Sequence, residues 1–240
     1  GNLNYKSGRW NLYGNFSFSQ NRQDSGQSVF MQESTQYDNG ASLVSTTAMK
    51  ANSRNGGGMF GAIYDIDERS SLGVEYNLWY NPAMPNYTIS SLNYTLGDYS
   101  EAHESTYEQL RGSINQSAIA NYIRILDERG STLKIIADWA NNSTNGGNNN
   151  SDRSVTTIQG VEGAPIDSLY RNRSLANYTY LPLNTAVEKK ISDLTTLSYG
   201  AKYTFTDTYS TTDYSYKRGD EWHNLADYNQ LTDYNELMAR

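Results

Sequence analysis

The side chains that usually carry chemistry are few in this chain, and badly spaced for it. His103 and His223 are its two histidines, and it has no cysteine. Metal binding by paired His has nothing to build on, and thiol nucleophiles, thiolate metal sites and a disulfide framework are excluded. Asp65-Ile66-Asp67-Glu68 offers oxygen ligands for calcium. It is too short for an EF-hand loop, however, and lacks the closing Glu. A charged turn is the better reading, as it is for Asp127-Glu128. Gly56-Gly57-Gly58 is not followed by Lys-Ser/Thr, so it is no phosphate cradle. Serines are plentiful without a G-x-S-x-G elbow, and carboxylates are too many for any glycosidase pair to stand out. The expectation is a non-enzyme without a cofactor or metal. What remains is aromatic: Tyr87, Tyr94, Tyr99 and Trp222 lie in long polar stretches. There they are candidates to stack on a sugar or grip a peptide; the plainer role is to anchor a membrane rim or pack loops together.

The elements that would hold those residues come next. The chain has 240 residues, a net charge of -7 and a pI near 4.9, which argues against a nucleic-acid partner. Hydrophobic residues make up 37%, low for a water-excluded core, and Tyr is abundant at 21 residues. Such a composition suits a wall with lipid on one side and water on the other. It also suits a soluble Tyr-rich β-protein, such as a surface adhesin or glycan-binding sandwich. No apolar run is long enough for a transmembrane helix. The chain opens Gly1-Asn2-Leu3-Asn4-Tyr5, without Met or signal peptide. It therefore reads as a portion of a longer precursor whose export signal lies upstream.

Residues 10–19 and 72–80 alternate apolar and polar almost without error, the period-two pattern of a strand with one greasy and one wet face. Further strands are expected at 1–5, 59–64, 113–125, 132–140, 175–181, 194–206 and 233–240. Short turns are expected at 6–9, 65–70 and 127–130, with a somewhat longer one at 182–193. Long polar connections are expected at 22–58 (with β-forming character at 43–50), at 82–111 and at 207–232, and the Asn-rich 141–150 reads as a loop tip. This is an all-β, antiparallel up-and-down meander of about eight or nine strands. Connections of about four to six residues at one end and roughly twenty to thirty-five at the other match outer-membrane barrels better than compact soluble domains.

The apolar set is Trp10, Leu12, Phe16 and Phe18; Leu72, Val74, Tyr76, Leu78 and Tyr80; Leu133, Ile135, Ala137 and Trp139; and Leu197, Tyr199, Ala201, Tyr203 and Phe205. The opposite set carries Glu75, Lys134, Asp138 and Lys202. Alternation fixes the two faces but not what they touch. The lipid-facing expectation is Leu12, Phe16, Leu72, Val74, Tyr76, Leu78, Leu133, Ile135, Leu197, Tyr199 and Tyr203, since a Lys on a lipid face would cost about 2–4 kcal/mol at the midplane. Gly14, Gly73 and Gly200 interrupt strands as bends or close approaches do.

Leu3-Asn4-Tyr5-Lys6-Ser7-Gly8-Arg9-Trp10-Asn11-Leu12-Tyr13-Gly14 resembles the "N-Y-x-x-G-x-W-N-L-x-G" hairpin of the outer-membrane β-barrel family of large TonB-dependent receptors. Asp67-Glu68-Arg69-Ser70-Ser71-Leu72-Gly73 resembles its charged turn and "S-L-G" strand. Asn121-Tyr122 before Asp127-Glu128-Arg129-Gly130, Ala176-Asn177-Tyr178 before Tyr199-Gly200-Ala201-Lys202-Tyr203, and Tyr234-Asn235-Glu236 resemble further elements in the same order. The resemblance implies a plugged barrel of about 22 strands in the bacterial outer membrane. It also implies energised uptake of a bulky nutrient, with outer-membrane lipid, the periplasmic coupling protein TonB (through regions absent here) and a surface lipoprotein as partners. The plug domain, the coupling box and a terminal aromatic at Arg240 are not seen, so the chain reads as residues 1–240 of a larger barrel domain. The alternatives are a soluble adhesin or glycan-binding module, and a small closed barrel acting as a pore or enzyme. The latter would need the 1–5 strand to pair with the 233–240 strand.

Overall fold

The computed structural model describes residues 1–22 and 29–239. Part of the expected 22–58 connection, residues 23–28, lies outside the described residues, as does Arg240. The strands are β1 (Asn2–Ser7), β2 (Trp10–Arg22), β3 (Val29–Gln36), β4 (Ser42–Lys50), β5 (Asn52–Asp67), β6 (Ser70–Leu96) and β7 (Tyr99–Ile125). They continue with β8 (Thr132–Ile158), β9 (Val161–Glu162), β10 (Ile166–Ser192), β11 (Thr195–Arg218), β12 (Glu221–Asn224) and β13 (Gln230–Ala239). One short 3-10 turn at Ala226–Tyr228 interrupts the last connection. All pairings are antiparallel and form one sheet, with a main path β1-β2-β5-β6-β7-β8-β10-β11 and β13 beside β11. The meander is therefore as the alternation predicts. Among the described residues, β1 pairs β2 and β13 pairs β11, so the sheet is open and the eight-strand closure does not form.

The strands are far longer than hydropathy indicates. β6, β7, β8 and β10 each run 27 residues. That is about 90 Å at roughly 3.3 Å per residue, whereas crossing a bilayer takes about 9–11 residues. The expected connection at 82–111 is instead the upper part of β6 and β7, closed by a turn at Gly97-Asp98. Asn141–Asn150 is not a loop tip. It lies mid-β8, paired on one side to β7 and on the other to β10. The expected turn at 182–193 is mostly β10, and 207–232 is mostly β11 and β12. Backbone pairing on both sides overrides the weak β propensity of these Asn-rich segments. The tips use left-handed backbone: Gln159 and Gly160 at φ 52° and 77° turn the chain tightly, and Gln159 N–H donates to the Asp98 carbonyl at 2.8 Å.

Between β2 and β5, the hairpin β3–β4 adds a branch. β4 pairs with residues 87–95 of β6, while β5 pairs with residues 70–80. The exchange of partners falls at Pro82 and Pro85, beside a bulge between Asn81 and Met84. Pro has no ladder N–H, so it is tolerated where pairing is interrupted.

Ala41 is the one buried hydrophobic residue among those described. Leu72, Val74, Tyr76 and Leu78 remain 38–47% exposed, so the two-sheet core of a soluble sandwich is absent. The accessible surface is 16268 Å², against about 10,800 Å² for a compact monomer of this mass. A single-layered wall explains the excess.

Candidate functional site: a two-faced wall

Residues paired across an antiparallel ladder share a face, so the register assigns every side chain. One face carries Trp10, Leu12, Phe16, Phe60, Leu72, Val74, Tyr76 and Leu78, then Leu133, Ile135, Ala137, Trp139, Leu181, Leu183 and Val187, then Leu197, Tyr199, Tyr203 and Phe205. All eleven expected lipid-facing residues fall on it. On β8 the apolar stretch covers residues 133–139 and on β11 residues 197–205, about 23–30 Å along the strand, close to the roughly 25 Å apolar band of outer-membrane barrels. From β7 to β13 the next row up on the same face is polar, while Leu78 on β6 and Phe16 on β2 keep that row apolar. Gln116, Asn141, Thr179, Asp207 and Asn235 form a continuous cross-strand row. Asn141 Nδ2 donates to Asn177 Oδ1 at 2.9 Å and to Thr179 Oγ1 at 3.0 Å, which ties the row together.

The opposite face holds Glu75, Asp138, Lys134 and Lys202, all four on the expected side. Lys134 Nζ lies 3.3 Å from Glu188 Oε1. Tyr13 on β2 reaches over β5 to donate its hydroxyl to Glu75 Oε2 at 3.1 Å, and Asn77 Nδ2 donates to Glu75 Oε1 at 3.0 Å. The reach exists because the intervening residue is Gly61, where a Cβ would sit 2.3 Å from the Tyr13 ring. At mid-height this face is concave. One cavity of about 600 Å³ touches six adjacent strands, from Asn15 on β2 to Tyr178 on β10.

The turns opposite the tips are tightly held. Asp127 accepts from Lys189 Nζ at 2.6 Å and from the Ser131 N–H at 3.0 Å, and these bonds hold its carboxyl well below the usual carboxylate range. Asp67 accepts from the Arg69 N–H at 2.8 Å and is lowered chiefly by that bond. Both carboxylates serve their own turns.

The four expected ligand aromatics do not form one site. Tyr94 and Tyr99 meet beside the Gly97-Asp98 turn, with ring centroids 6.2 Å apart. Tyr99 donates to Glu101 Oε2 at 3.0 Å, which raises the Tyr99 hydroxyl above its ordinary value. His103 Nε2 bonds the other Glu101 oxygen at 2.8 Å. His223 stacks on Tyr216 at 5.3 Å. Tyr87 and Trp222 lie on the other face and share a cavity of about 470 Å³. Tyr87 donates to Glu108 Oε1 at 3.0 Å, and the Arg171 guanidinium sits 4.1 Å from the Trp222 ring centroid. All four belong to strands rather than loops.

Sequence reasoning missed Trp79 and Tyr178, which wall the mid-height cavity. A signal was present: Trp79 is an apolar residue at a polar-face position, flanked at i−2 and i+2 by Asn77 and Asn81.

Residues 124–239, just under half of the chain, match the family model of the outer membrane protein beta-barrel family. No curated protein matches the chain. Among solved structures, the in-vitro folded outer membrane protein OmpT of Vibrio cholerae aligns at 9% identity over 98% of this chain and 96% of that one, with a TM-score of 0.13. OccK8 (OprE) of Pseudomonas aeruginosa aligns at 7% identity over 99% and 91%, with a TM-score of 0.12. Those scores are too low for a common architecture to be read from them. With the family match and the register together, the chain is an antiparallel all-β meander of the outer-membrane β-barrel class, and its location is the bacterial outer membrane.

Proposed function

We propose that this wall belongs to a TonB-dependent importer that draws a bulky nutrient across the outer membrane. The observation that carries the reading is the pair of opposed faces: an apolar band about as tall as a bilayer core, backed by a concave face of amides, hydroxyls and paired charges. The apolar band contacts lipid, with Leu12, Phe16, Leu72, Val74, Tyr76, Leu78, Leu133, Ile135, Leu197, Tyr199 and Tyr203 in the hydrocarbon. The concave face lines the substrate path. The long upper strands stand outside the cell, where they meet the nutrient and a surface lipoprotein. TonB engages parts of the protein beyond this chain. The order of the quoted hairpin motifs supports the energised class over a passive pore.

The test is uptake. In cells making the full-length protein, a nutrient whose import it supports should cease to enter when the coupling protein is deleted. Unchanged import, or ion conductance without any coupling partner, would favour a passive pore.

A further inference from the structure

The mid-height cavity on the concave face is built around one cross-strand row. Trp79 pairs with Asn115, Asn115 with Asn142, and Asn142 with Tyr178, on four adjacent strands. Strands lie about 4.8 Å apart, so the two aromatic positions are separated by roughly 14 Å, with two asparagines between them. Asn142 donates its amide N–H to Asn115 Oδ1. That bond does not use the Asn142 oxygen or the Asn115 amide nitrogen, and both residues line the cavity. Just below, Glu75 holds the Asn77 amide nitrogen and so presents the Asn77 oxygen.

Two further features select the ligand. Trp79 lies against Gly57, where a Cβ would fall 2.4 Å from its ring, so the indole has room to lie flat; it is 40% exposed, and Tyr178 is 43% exposed. These are large apolar surfaces on the face away from the lipid band. Second, among the described residues no Asp, Glu, Lys, Arg or His lines this cavity. Two concavities on the other face carry Arg173 with Asp213, and Glu108 with Arg171. Flat aromatic surface at both ends, neutral donors and acceptors between them, and no fixed charge fit a molecule with alternating C–H and O–H faces.

We infer that this row is a binding site for a neutral oligosaccharide, with rings stacked on Trp79 and Tyr178 and hydroxyls bonded to Asn115, Asn142 and Asn77. The inference rests on the concave face being the aqueous interior, and names the substrate class for that path. Stacking on each aromatic is worth about tenfold in affinity.

The experiment is calorimetric titration of the full-length protein in detergent. The probes are neutral gluco-, galacto- and manno-oligosaccharides, an oligogalacturonate of equal length, and a neutral Gly/Ser/Asn peptide. At least one neutral sugar should saturate; Trp79→Ala and Tyr178→Ala should each weaken it about tenfold, and Trp79→Phe should restore most of the loss. The inference is overturned if no neutral sugar binds, if the uronate or peptide binds equally well, or if both alanine variants bind normally. Heat-modifiable gel migration of the same samples tests the barrel by itself. Its absence overturns the membrane reading and this site with it, whereas its presence without sugar binding overturns this site alone.

Discussion

The lower and upper parts of β8 share one backbone and differ in almost everything else. From Leu133 to Trp139 the odd residues are apolar and the even ones include Lys134 and Asp138. From Asn141 to Asn150 both faces are amide, hydroxyl or glycine, yet the ladder to β7 and β10 continues. The lower part is a strand because a membrane demands that every backbone group be paired and one face be greasy. The upper part is a strand because its neighbours are, and its polar side chains bond one another instead of burying. A lipid boundary is thus written in side chains, while strand length is written in pairing.

Three comparisons, built on four substitutions, probe that contrast in descending order of effect. Ile135→Arg puts a charge mid-band and should destabilise by about 2–4 kcal/mol, measured by urea unfolding in liposomes. Ser143→Arg, on the same face but above the polar row, should stay within about 0.5 kcal/mol. Equal costs would erase the distinction between the two parts. Gly61→Val tests the concave face: it displaces the Tyr13 ring and should cost about 1–3 kcal/mol, together with loss of the Tyr13–Glu75 bond. The third and smallest effect belongs to the turns. Asp127 has a folded-state pKa depressed below its ordinary 3.8, so its contribution is present above that value and fades as pH falls through the depressed one. Asp127→Asn should therefore lower the thermal midpoint slightly at pH 7, and the gap from wild type should narrow as the solution is acidified below about pH 4.

What could be read beforehand follows the same division. Residues 72–80 and 133–139 announce themselves because one face must be apolar, and the turn at Lys6-Ser7-Gly8-Arg9 is marked by Gly8, which takes φ +55°. The extent of β6 beyond Asn81 was hidden: two prolines and a polar run signal a loop unless the partner strands are known. Tyr87 and Tyr94 were noticed as aromatics in polar company; their spacing of seven puts one on each side of the sheet, and the bulge at Asn81/Met84 sets which of them takes the apolar side. Asn115 and Asn142 were invisible as a pair, because residues 27 positions apart meet only through register.

Because these 240 residues hold no cysteine, single spin labels can be placed along β8 in the full-length protein once any cysteine outside them has been replaced. Accessibility to dissolved oxygen and to a polar nickel reagent should alternate from position 133 to 139: oxygen at 133, 135, 137 and 139, nickel at 134, 136 and 138. Beyond 141, nickel should reach both faces. Oxygen accessibility at the even positions, or odd positions closed to both reagents, would contradict the assignment of the apolar face to lipid.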